Sequence, residues 1–356
     1  MSAEYHRPPI KLALMGLGRS LFFEHYPVFR EHPSLFKVVA ACDLVKERRD
    51  KIEADYPDCK MFRQFRDMLD EPDIDLVVIS TASTDHVEHA MASLERGFWT
   101  LVEAPLALTP DETLILRGAA QKAKNRLLVI QRGFFAPDFV LTRSMMGDPR
   151  LGDIYQIKIR QEDYVRRDDW QTVKRLGGGA AYYAMTDLIL QALKLLPSPP
   201  VQMWSELKRV ASLGDAEDFA HVCLKTRSHV SAEIEFNGGV LPDNRAPSFE
   251  LRAERGVFRV NQGESTGELV VIDPEFKFSR RRSSVRTPDL ADMHEDIPVV
   301  RIPVSMPRGI ASGTSEMWKS IYETVRTAAP FPLTIEDSME AVKFAHLMKK
   351  TSPFGK

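Results

Sequence analysis

The sequence predicts an α/β fold, with an N-terminal doubly wound parallel sheet followed by an α+β domain that has an open, mostly antiparallel sheet. Short apolar runs alternate with amphipathic stretches in the first third of the chain, as in βαβ units. Later runs alternate apolar with charged residues, as in antiparallel strands with one solvated face. The length of 356 residues favours two domains. We place them at residues 1–132 and 133–356, a division that leaves the last helices able to pack back on the first domain.

The elements of the first domain follow from its apolar runs. Continuous apolar runs indicate parallel strands buried on both faces, which right-handed crossovers join through helices. The predicted strands are Ile10–Met15, Lys37–Cys42, Leu76–Ser80, Trp99–Val102 and Leu127–Gln131. The predicted helices are Arg19–Glu31, Leu44–Tyr56, Asp85–Arg96 and Pro110–Asn125, with a short helical turn at Phe65–Leu69.

The second domain shows a different periodicity. Strands are predicted at Ile154–Gln161, Ala232–Phe236, Phe249–Ala253, Val257–Val260 and Leu269–Ile272. A helix over Ala181–Leu195 ends at a proline-rich segment, which cannot continue it. The proline- and charge-rich stretch 276–307 is typical of a long loop, and helices at Ser315–Ala328 and Ile335–Lys349 close the chain.

The bulk composition excludes several classes of partner. The formal net charge is only −2, and the basic run Arg280–Arg282 is typical of a solvated loop, so we predict no nucleic-acid partner. The three cysteines, Cys42, Cys59 and Cys223, are too scattered for a disulfide framework or a zinc site. The chain has neither a secretory apolar region nor an apolar run of about 18 residues. We therefore predict a cytoplasmic protein with no membrane partner and no metal.

A glycine pair follows the first predicted strand and opens the first helix. Gly16 permits a tight turn, and Gly18 lets backbone N–H groups approach a pyrophosphate at the positive end of a helix. Arg19 and Ser20 lie in the same turn and are further cofactor-binding candidates. Asp43 closes the second strand and can accept hydrogen bonds from an adenosine ribose, which favours NAD over NADP. The alternative is a tight strand–helix turn without a ligand.

Two further segments follow buried strands and should emerge at the carboxyl edge of the sheet, where open α/β sheets bind ligands. They are Thr81–His86 and Glu103–Pro105. With these segments, the chain resembles the glucose-fructose oxidoreductase / inositol dehydrogenase / rhizopine-catabolism oxidoreductase family over nearly its whole length. The residues that carry the resemblance are Gly16–Ser20, Asp43, Asp75–Thr81, His86, Glu103–Thr109, Leu151–Ile154, Asp168–Trp170, Gly177–Gly179 and Pro332–Ser338.

The resemblance implies a Rossmann domain, a second domain with an open sheet, and NAD(P) bound between them. It also implies that oligomers form through the outer face of that sheet, and we expect a homo-dimer or homo-tetramer. Loops bearing Arg132 and Trp170 are expected to face the cofactor cleft. For His86 the alternative is a helix-start residue bonded to backbone, and for Trp170 it is ordinary packing. The residues expected to line the nicotinamide half are Thr81, Ala82, Ser83, His86, Glu103, Ala104 and Pro105.

The acid/base residues depart from the family pattern. The family usually has a lysine at the position of Ala104, an aspartate at that of Tyr183 and a histidine at that of Asp187. A spacing of four residues puts positions 183 and 187 on one helical face. Asp187 can act as a base if burial raises its pKa, and Tyr183 can donate a proton if a cation such as Lys174 or Arg175 lowers its pKa. The alternatives are a packed tyrosine and a structural carboxylate.

The cofactor motifs and the resemblance together imply an NAD(P)-dependent oxidoreductase acting on a sugar, polyol or related hydroxy/keto compound, with an atypical acid/base set. NAD is the expected cofactor and NADP the alternative. A variant of this chemistry oxidises the substrate transiently, to allow elimination without net redox change. The competing hypothesis is a non-catalytic NAD(P)- or metabolite-binding regulator or partner subunit, which the three replaced positions favour. A structural module without a cofactor is the third hypothesis.

Overall fold

The computed structural model describes residues 7–278 and 296–355, so the basic run Arg280–Arg282 lies outside the described residues. A parallel sheet forms the centre of the first domain. Its strands are β1 (Ile10–Met15), β2 (Phe36–Cys42), β3 (Lys60–Phe62), β4 (Leu76–Ile79), β5 (Trp99–Glu103) and β6 (Leu127–Ile130). They lie in the order β3-β2-β1-β4-β5-β6, with every neighbouring pair parallel.

The strand order places β1 and β4 at the centre of the sheet, where the order of the strands reverses. All four residues of β4 are buried, as expected of a strand covered on both faces. The carboxyl ends of β1, β4 and β5 therefore meet at one edge of the sheet, the topological switch point of a doubly wound fold. The covering helices are α1 (Tyr26–Glu31), α2 (Lys46–Asp55), α3 (Phe65–Met68), α4 (His86–Glu95) and α5 (Pro110–Lys122).

The first predicted helix, Arg19–Glu31, is divided into two parts. Residues Leu21–His25 form a π-helical turn, and α1 begins only at Tyr26. Pro27 lies in the first turn of α1, where its missing N–H removes one bond that a continuous α-helix would need. The π-turn points the side chain of His25 into the protein, where it is completely buried. Such turns occur often at functional sites.

The second domain contains a mixed, mostly antiparallel sheet. Its strands are β7 (Ile154–Glu162), β8 (Pro200–Lys208), β9 (Phe219–Thr226), β10 (Ser231–Asn237), β11 (Phe249–Ala253), β12 (Gly256–Val260), β13 (Thr266–Ile272) and β14 (Val299–Ser305). They lie in the order β14-β13-β12-β11-β7-β10-β9-β8, and β7 and β10 form a parallel pair. The two-domain α/β plus α+β architecture predicted from the sequence is confirmed.

Four strands were not predicted: β3, β8, β9 and β14. The stretch 276–307, predicted as a loop, contains β14, so that prediction was wrong for its last part. β14 is an edge strand with largely exposed side chains, so it lacks the apolar alternation that marks a half-buried strand. Its Pro303 is tolerated because an edge strand does not need every backbone N–H for pairing.

The helices after residue 133 either pack on the sheet of the second domain or reach the first domain. They are α6 (Pro137–Met145), α7 (Ala180–Tyr183), α8 (Met185–Leu195), α9 (Thr314–Thr327) and α10 (Ile335–Thr351). The predicted helix Ala181–Leu195 is broken at Ala184, whose backbone (φ −121°, ψ −49°) is not helical. Helix α9 packs on the first domain, because the ring of its Trp318 lies edge-on against Phe29 and Phe36. Among the described helices, none is long and apolar enough to cross a membrane.

Candidate active-site cleft

One cleft of about 1090 Å³ lies at the carboxyl edge of the first sheet and is closed on its other side by the second domain. Both domains supply residues to its wall. It brings together nearly all the predicted site residues: Gly16, Gly18, Arg19, Ser20, Asp43, Thr81, Ala82, Ser83, His86, Glu103, Ala104, Arg132, Trp170 and Tyr183. Pro105 and Asp187 do not line it.

The glycine turn, residues 16–18, lies close to the backbone at the end of β4. Gly16 has a positive φ of +86°, and a Cβ there would lie 2.7 Å from the carbonyl carbon and oxygen of Ser80. Glycine is therefore required at position 16 by the protein itself. At Gly18 a Cβ would meet only the Ser80 oxygen, at 3.9 Å. The bare backbone of Gly18 faces the cleft without a steric need within the chain, which fits a site where a dinucleotide phosphate approaches the backbone.

Asp43 joins the glycine turn to the end of β2. Its two carboxylate oxygens accept hydrogen bonds from the backbone N–H groups of Leu17 and Val45, both at 2.8 Å. A guanidinium nitrogen of Arg48 lies 3.4 Å from one of these oxygens. The side chain of Asp43 is only 7% exposed. The carboxylate thus has a structural role where the glycine turn meets the end of β2, whatever it does for a ligand.

Glu103 ends β5 and is the centre of a hydrogen-bonded network at the other end of the cleft. The Ser20 hydroxyl donates to its Oε1 at 2.5 Å, and Nε2 of His25 lies 2.6 Å from the same oxygen. The other ring nitrogen of His25 accepts from the indole N–H of Trp318 at 3.1 Å. Because an indole nitrogen can only donate, we assign the proton of His25 to Nε2, which donates to Glu103. No local pattern in the sequence marks His25 or Trp318, which meet across 293 residues of chain.

Arg132 supplies a positive charge beside Glu103. It follows β6, whose Ile130 pairs with Glu103 in the sheet, and it forms a 2.6 Å salt bridge with Glu24. Burial raises the pKa of Glu103, but the His25 contact, the Arg132 charge and the Ser20 hydrogen bond outweigh burial and lower it below its usual value. Glu103 is therefore a carboxylate at neutral pH, held between a cation and two hydrogen-bond donors.

His86 connects the two cleft segments that follow β4 and β5. Its Nδ1 lies 2.8 Å from the Pro105 carbonyl oxygen and its Nε2 lies 3.2 Å from that of Thr81. Burial lowers the pKa of His86, so the ring is neutral and its single N–H donates to one of these carbonyls, which we take to be the nearer one. His86 thus makes the backbone contacts of the alternative interpretation, although it also lines the cleft. Pro105 contributes through its carbonyl rather than by lining the cleft.

Tyr183 lies in the part of the cleft wall that the second domain forms. Its ring packs edge-on against Phe236, and the guanidinium carbon of Arg167 lies 5.4 Å from the ring centroid. Burial raises the pKa of Tyr183 by more than Arg167 lowers it, so the phenol is protonated at neutral pH and can donate a hydrogen bond. Lys174 contacts Phe354. The cation at the Tyr183 ring is Arg167 rather than Lys174 or Arg175, and the expected lowering of the Tyr183 pKa is wrong because burial outweighs that cation.

Asp187 faces away from the cleft. Its Oδ2 accepts from the backbone N–H of Gly133 at 2.9 Å, and its Oδ1 has no hydrogen-bond partner among the described residues. Gln191 donates to the carbonyl of the same Gly133 at 2.7 Å. The break at Ala184 explains why the spacing argument was wrong: Tyr183 ends α7 while Asp187 belongs to α8, so the two side chains do not share one helical face. By accepting the hydrogen bond from Gly133, Asp187 stabilises the turn in which Arg132 lies.

Burial should make protein stability depend on the protonation of Asp187. Burial raises the pKa of Asp187 to about 6, against the opposing effects of Gly133 and Arg132. Since the folded pKa is raised, the stabilisation is complete below the unfolded pKa of about 3.9 and is lost as the pH rises through about 6. We expect the free energy of unfolding of Asp187→Asn, relative to that of the parent protein, to rise by about 1 kcal/mol when the pH is raised from ~5 to ~7.5.

Urea denaturation at both pH values measures this gain. Asp58→Asn, which removes an exposed carboxylate, is measured beside it as the control for the substitution itself. A free energy difference between Asp187→Asn and the parent that is the same at both pH values would show that Asp187 titrates normally.

The chain matches two family models. One, described as "Oxidoreductase family, NAD-binding Rossmann fold", matches residues 10–131, and the other, "GFO/IDH/MocA C-terminal domain", matches residues 139–259. An uncharacterised oxidoreductase of Schizosaccharomyces pombe is 31% identical over 54% of this chain and 53% of that protein, so the match spans about half of that relative. A scyllo-inositol 2-dehydrogenase (NADP(+)) of Bacillus subtilis is 21% identical over 96% of this chain and 94% of that protein.

Solved structures share the fold. The crystal structure of an NAD-binding protein from Listeria innocua superposes with a TM-score of 0.80 at 17% identity, and covers 97% of this chain and 98% of that one. At this identity the similarity shows the fold alone, which is the two-domain arrangement around the cleft.

Proposed function

Because this chain belongs to the Gfo/Idh/MocA oxidoreductase family, with its NAD-binding Rossmann domain, we propose that it is an NAD(P)-dependent oxidoreductase of a sugar, polyol or related hydroxy/keto compound. Its acid/base set departs from the pattern that the family resemblance implies. The observation that carries the proposal is the shared cleft: the glycine turn and Glu103 line one part of it, and Tyr183 lines the other. The scyllo-inositol dehydrogenase among its relatives supports a polyol-like substrate.

The residues of the first domain fit a dinucleotide. The turn from Gly16 to Ser20 would hold the pyrophosphate, and Asp43 would lie near the adenosine ribose. The segments Thr81–His86 and Glu103–Ala104, with Arg132 and Trp170, would hold the nicotinamide half. When bound, NAD(P) supplies the hydride acceptor or donor. The buried network at Glu103 fixes a negative charge beside that half, where it can bind hydroxyl or amide donors.

The residues of the second domain supply the proton chemistry. Tyr183 is a protonated phenol in the cleft wall, so it donates a hydrogen bond to the substrate oxygen. An alkoxide formed by hydride transfer to a ketone is a stronger base than the phenolate, so it can take the proton of Tyr183 although burial raises the pKa of that phenol. Asp187 is the candidate base, because a pKa of about 6 suits proton acceptance near neutral pH. Its carboxylate lies behind the cleft wall, so proton transfer to it requires a water molecule or a side-chain rotation.

A non-catalytic NAD(P)- or metabolite-binding protein is the second candidate function. Two observations favour it: an alanine stands at position 104 in the cleft, and Asp187 does not line the cleft. On this alternative the dinucleotide or a metabolite binds in the same cleft, and the protein serves as a regulator or partner subunit.

Nucleotide titration followed by a turnover assay tests the proposal. Purified protein is titrated with NADH and NADPH, and binding is followed by calorimetry and by nicotinamide fluorescence. Binding of neither nucleotide would contradict both candidate functions. Oxidation of at least one compound in a panel of inositols, sugars and sugar acids supports the enzyme, whereas binding without turnover supports the regulator.

We also propose that the protein is a homo-oligomer formed through the outer face of the second sheet. Trp204 projects from β8 on that face and is 55% exposed. Burial of such a ring is typical of an interface core. We expect light scattering to show a dimer or tetramer, and Trp204→Glu to shift it toward monomer. Leu114→Glu, at an exposed position of α5, is the control, and a monomeric parent protein would contradict the proposal.

A further inference from the structure

Asp43 lies at the end of β2, where an acidic residue favours NAD over NADP by accepting hydrogen bonds from the two hydroxyls of the adenosine ribose. In this structure its oxygens are already engaged: each accepts a backbone N–H at 2.8 Å, and Arg48 approaches one of them at 3.4 Å. A carboxylate offers about four lone-pair positions in all. With the side chain only 7% exposed, little of that capacity points toward a ligand. Asp43 is therefore poorly placed to discriminate by ribose bonding.

Two arginines line the cleft next to Asp43. Arg48 comes from the first turns of α2, and its side chain is 48% exposed. Arg63 directly follows β3, whose Phe62 pairs with Cys42 at the end of β2. Because β2 and β3 are neighbouring parallel strands, the segments that follow them bring Arg48 and Arg63 to the same edge of the sheet, and both residues line the cleft. Guanidinium is the side-chain group best suited to bind a phosphate with two parallel hydrogen bonds.

These two arginines differ from Lys46 and Arg49 in having few partners. Lys46 is paired with Asp50 at 2.8 Å, and Arg49 donates to the Asp43 carbonyl. Arg48 has only its long contact with Asp43, and Arg63 forms no salt bridge with any residue that the structure describes. The charge of Asp43 is meanwhile balanced by two N–H groups and by Arg48, which reduces its repulsion of an anion.

We infer that the adenosine end of the cleft binds a 2′-phosphate through Arg48 and Arg63, and that the protein prefers NADP(H) to NAD(H). This inference rests on the proposed function, since it concerns the same dinucleotide site. It reverses the preference that the position of Asp43 in the sequence indicates. The structural reason is that the Asp43 carboxylate already accepts hydrogen bonds from two backbone N–H groups. Arg48 has only a 3.4 Å contact with Asp43, and it lines the cleft together with Arg63.

The test is a comparison of binding constants rather than of activity. The parent protein is titrated with NADPH and NADH, and then with adenosine 2′,5′-bisphosphate and AMP, which lack the nicotinamide. We expect the 2′-phosphorylated member of each pair to bind at least about tenfold more tightly, because each charge-assisted phosphate contact contributes substantially. Arg48→Ala and Arg63→Ala should each weaken NADPH about tenfold and leave NADH nearly unchanged. Raised salt should weaken NADPH more than NADH.

Arg66→Ala is the matched control, because Arg66 is exposed three residues beyond Arg63, pairs with Glu88 at 2.8 Å and does not line the cleft. It should not change the binding of either nucleotide. Tighter or equal binding of NADH would overturn the inference, as would arginine variants that weaken both nucleotides alike. The proposed function would survive either result, whereas failure to bind any of the four ligands would remove the proposed function itself. Equal thermal midpoints of variants and parent verify that folding is unchanged.

Discussion

Replacing Tyr183 with phenylalanine is expected to lower turnover at least about a hundredfold while nucleotide affinity stays unchanged. A positioned proton donor contributes roughly 10²–10⁴ in rate. Tyr183 is the cleft-lining phenol of the second domain, and burial keeps it protonated at neutral pH. Phenylalanine preserves the edge-on packing against Phe236 but removes the hydroxyl. The loss should therefore appear in kcat rather than in the dissociation constant of the nucleotide.

The neighbouring tyrosine provides a matched control. Tyr182 is more deeply buried, lies beneath the ammonium group of Lys349 and does not line the cleft. Tyr182→Phe should leave kcat within about twofold of the parent if its folding is intact. Steady-state kinetics and nucleotide titration on both variants make the comparison. If Tyr183→Phe and Tyr182→Phe turn over at the same rate, the phenol of Tyr183 is not the proton donor.

Gly16→Ala is expected to have the second large effect, on both stability and nucleotide binding. Its Cβ would lie 2.7 Å from the backbone of Ser80 and 2.8 Å from Cγ2 of Thr81, so the end of β1 must move away from the end of β4. The positive φ of +86° adds a strain of about 1–3 kcal/mol for any other residue. Because this turn would carry the pyrophosphate, we expect nucleotide affinity to fall at least about tenfold even at temperatures where the variant is folded.

A substitution at Gly97 distinguishes the strain of a positive φ from the collision with Ser80 and Thr81. Gly97 has a similar positive φ of +79°, but a Cβ there would meet nothing within 4 Å. Gly97→Ala therefore reports the strain of the backbone alone, without the collision. Urea denaturation and nucleotide titration of both variants should show a larger loss of stability at position 16 and a loss of affinity only there. Equal losses of stability at the two positions would show that the close approach to Ser80 contributes nothing.

The first domain was predictable because its central strands are buried on both faces. An uninterrupted apolar run such as Leu76–Ile79 indicates such a strand by composition alone. The carboxyl ends of β1, β4 and β5 then locate the cleft, and for this reason Gly16, Thr81 and Glu103 could be assigned to one site. Strand β3 was missed because three residues are too few to show a period, and β14 because an exposed edge strand has no apolar alternation.

The interior of the site was less predictable because its contacts are distant in the sequence. His25 reaches Glu103 only through a π-helical turn, and its other ring nitrogen bonds Trp318 of α9. No local pattern in the sequence marks either contact. The relation of Tyr183 to Asp187 failed for a local reason, since a single non-helical residue between them sends the two side chains in different directions. A periodicity argument assumes an unbroken helix.

Hydride transfer is the measurement that decides between an enzyme and a binding protein. The parent protein and Tyr183→Phe are incubated with NADH or NADPH and a panel of keto-inositols, keto sugars and keto sugar acids, because proton donation acts when a ketone is reduced, and loss of reduced nicotinamide is followed by absorbance. The parent is also assayed in reverse with NAD+ or NADP+ and the corresponding polyols and sugars. We expect the parent to transfer hydride to at least one keto compound, and the variant to reduce that same compound about a hundredfold or more slowly. A protein that binds the dinucleotide but transfers hydride to or from none of these compounds would contradict the proposed activity.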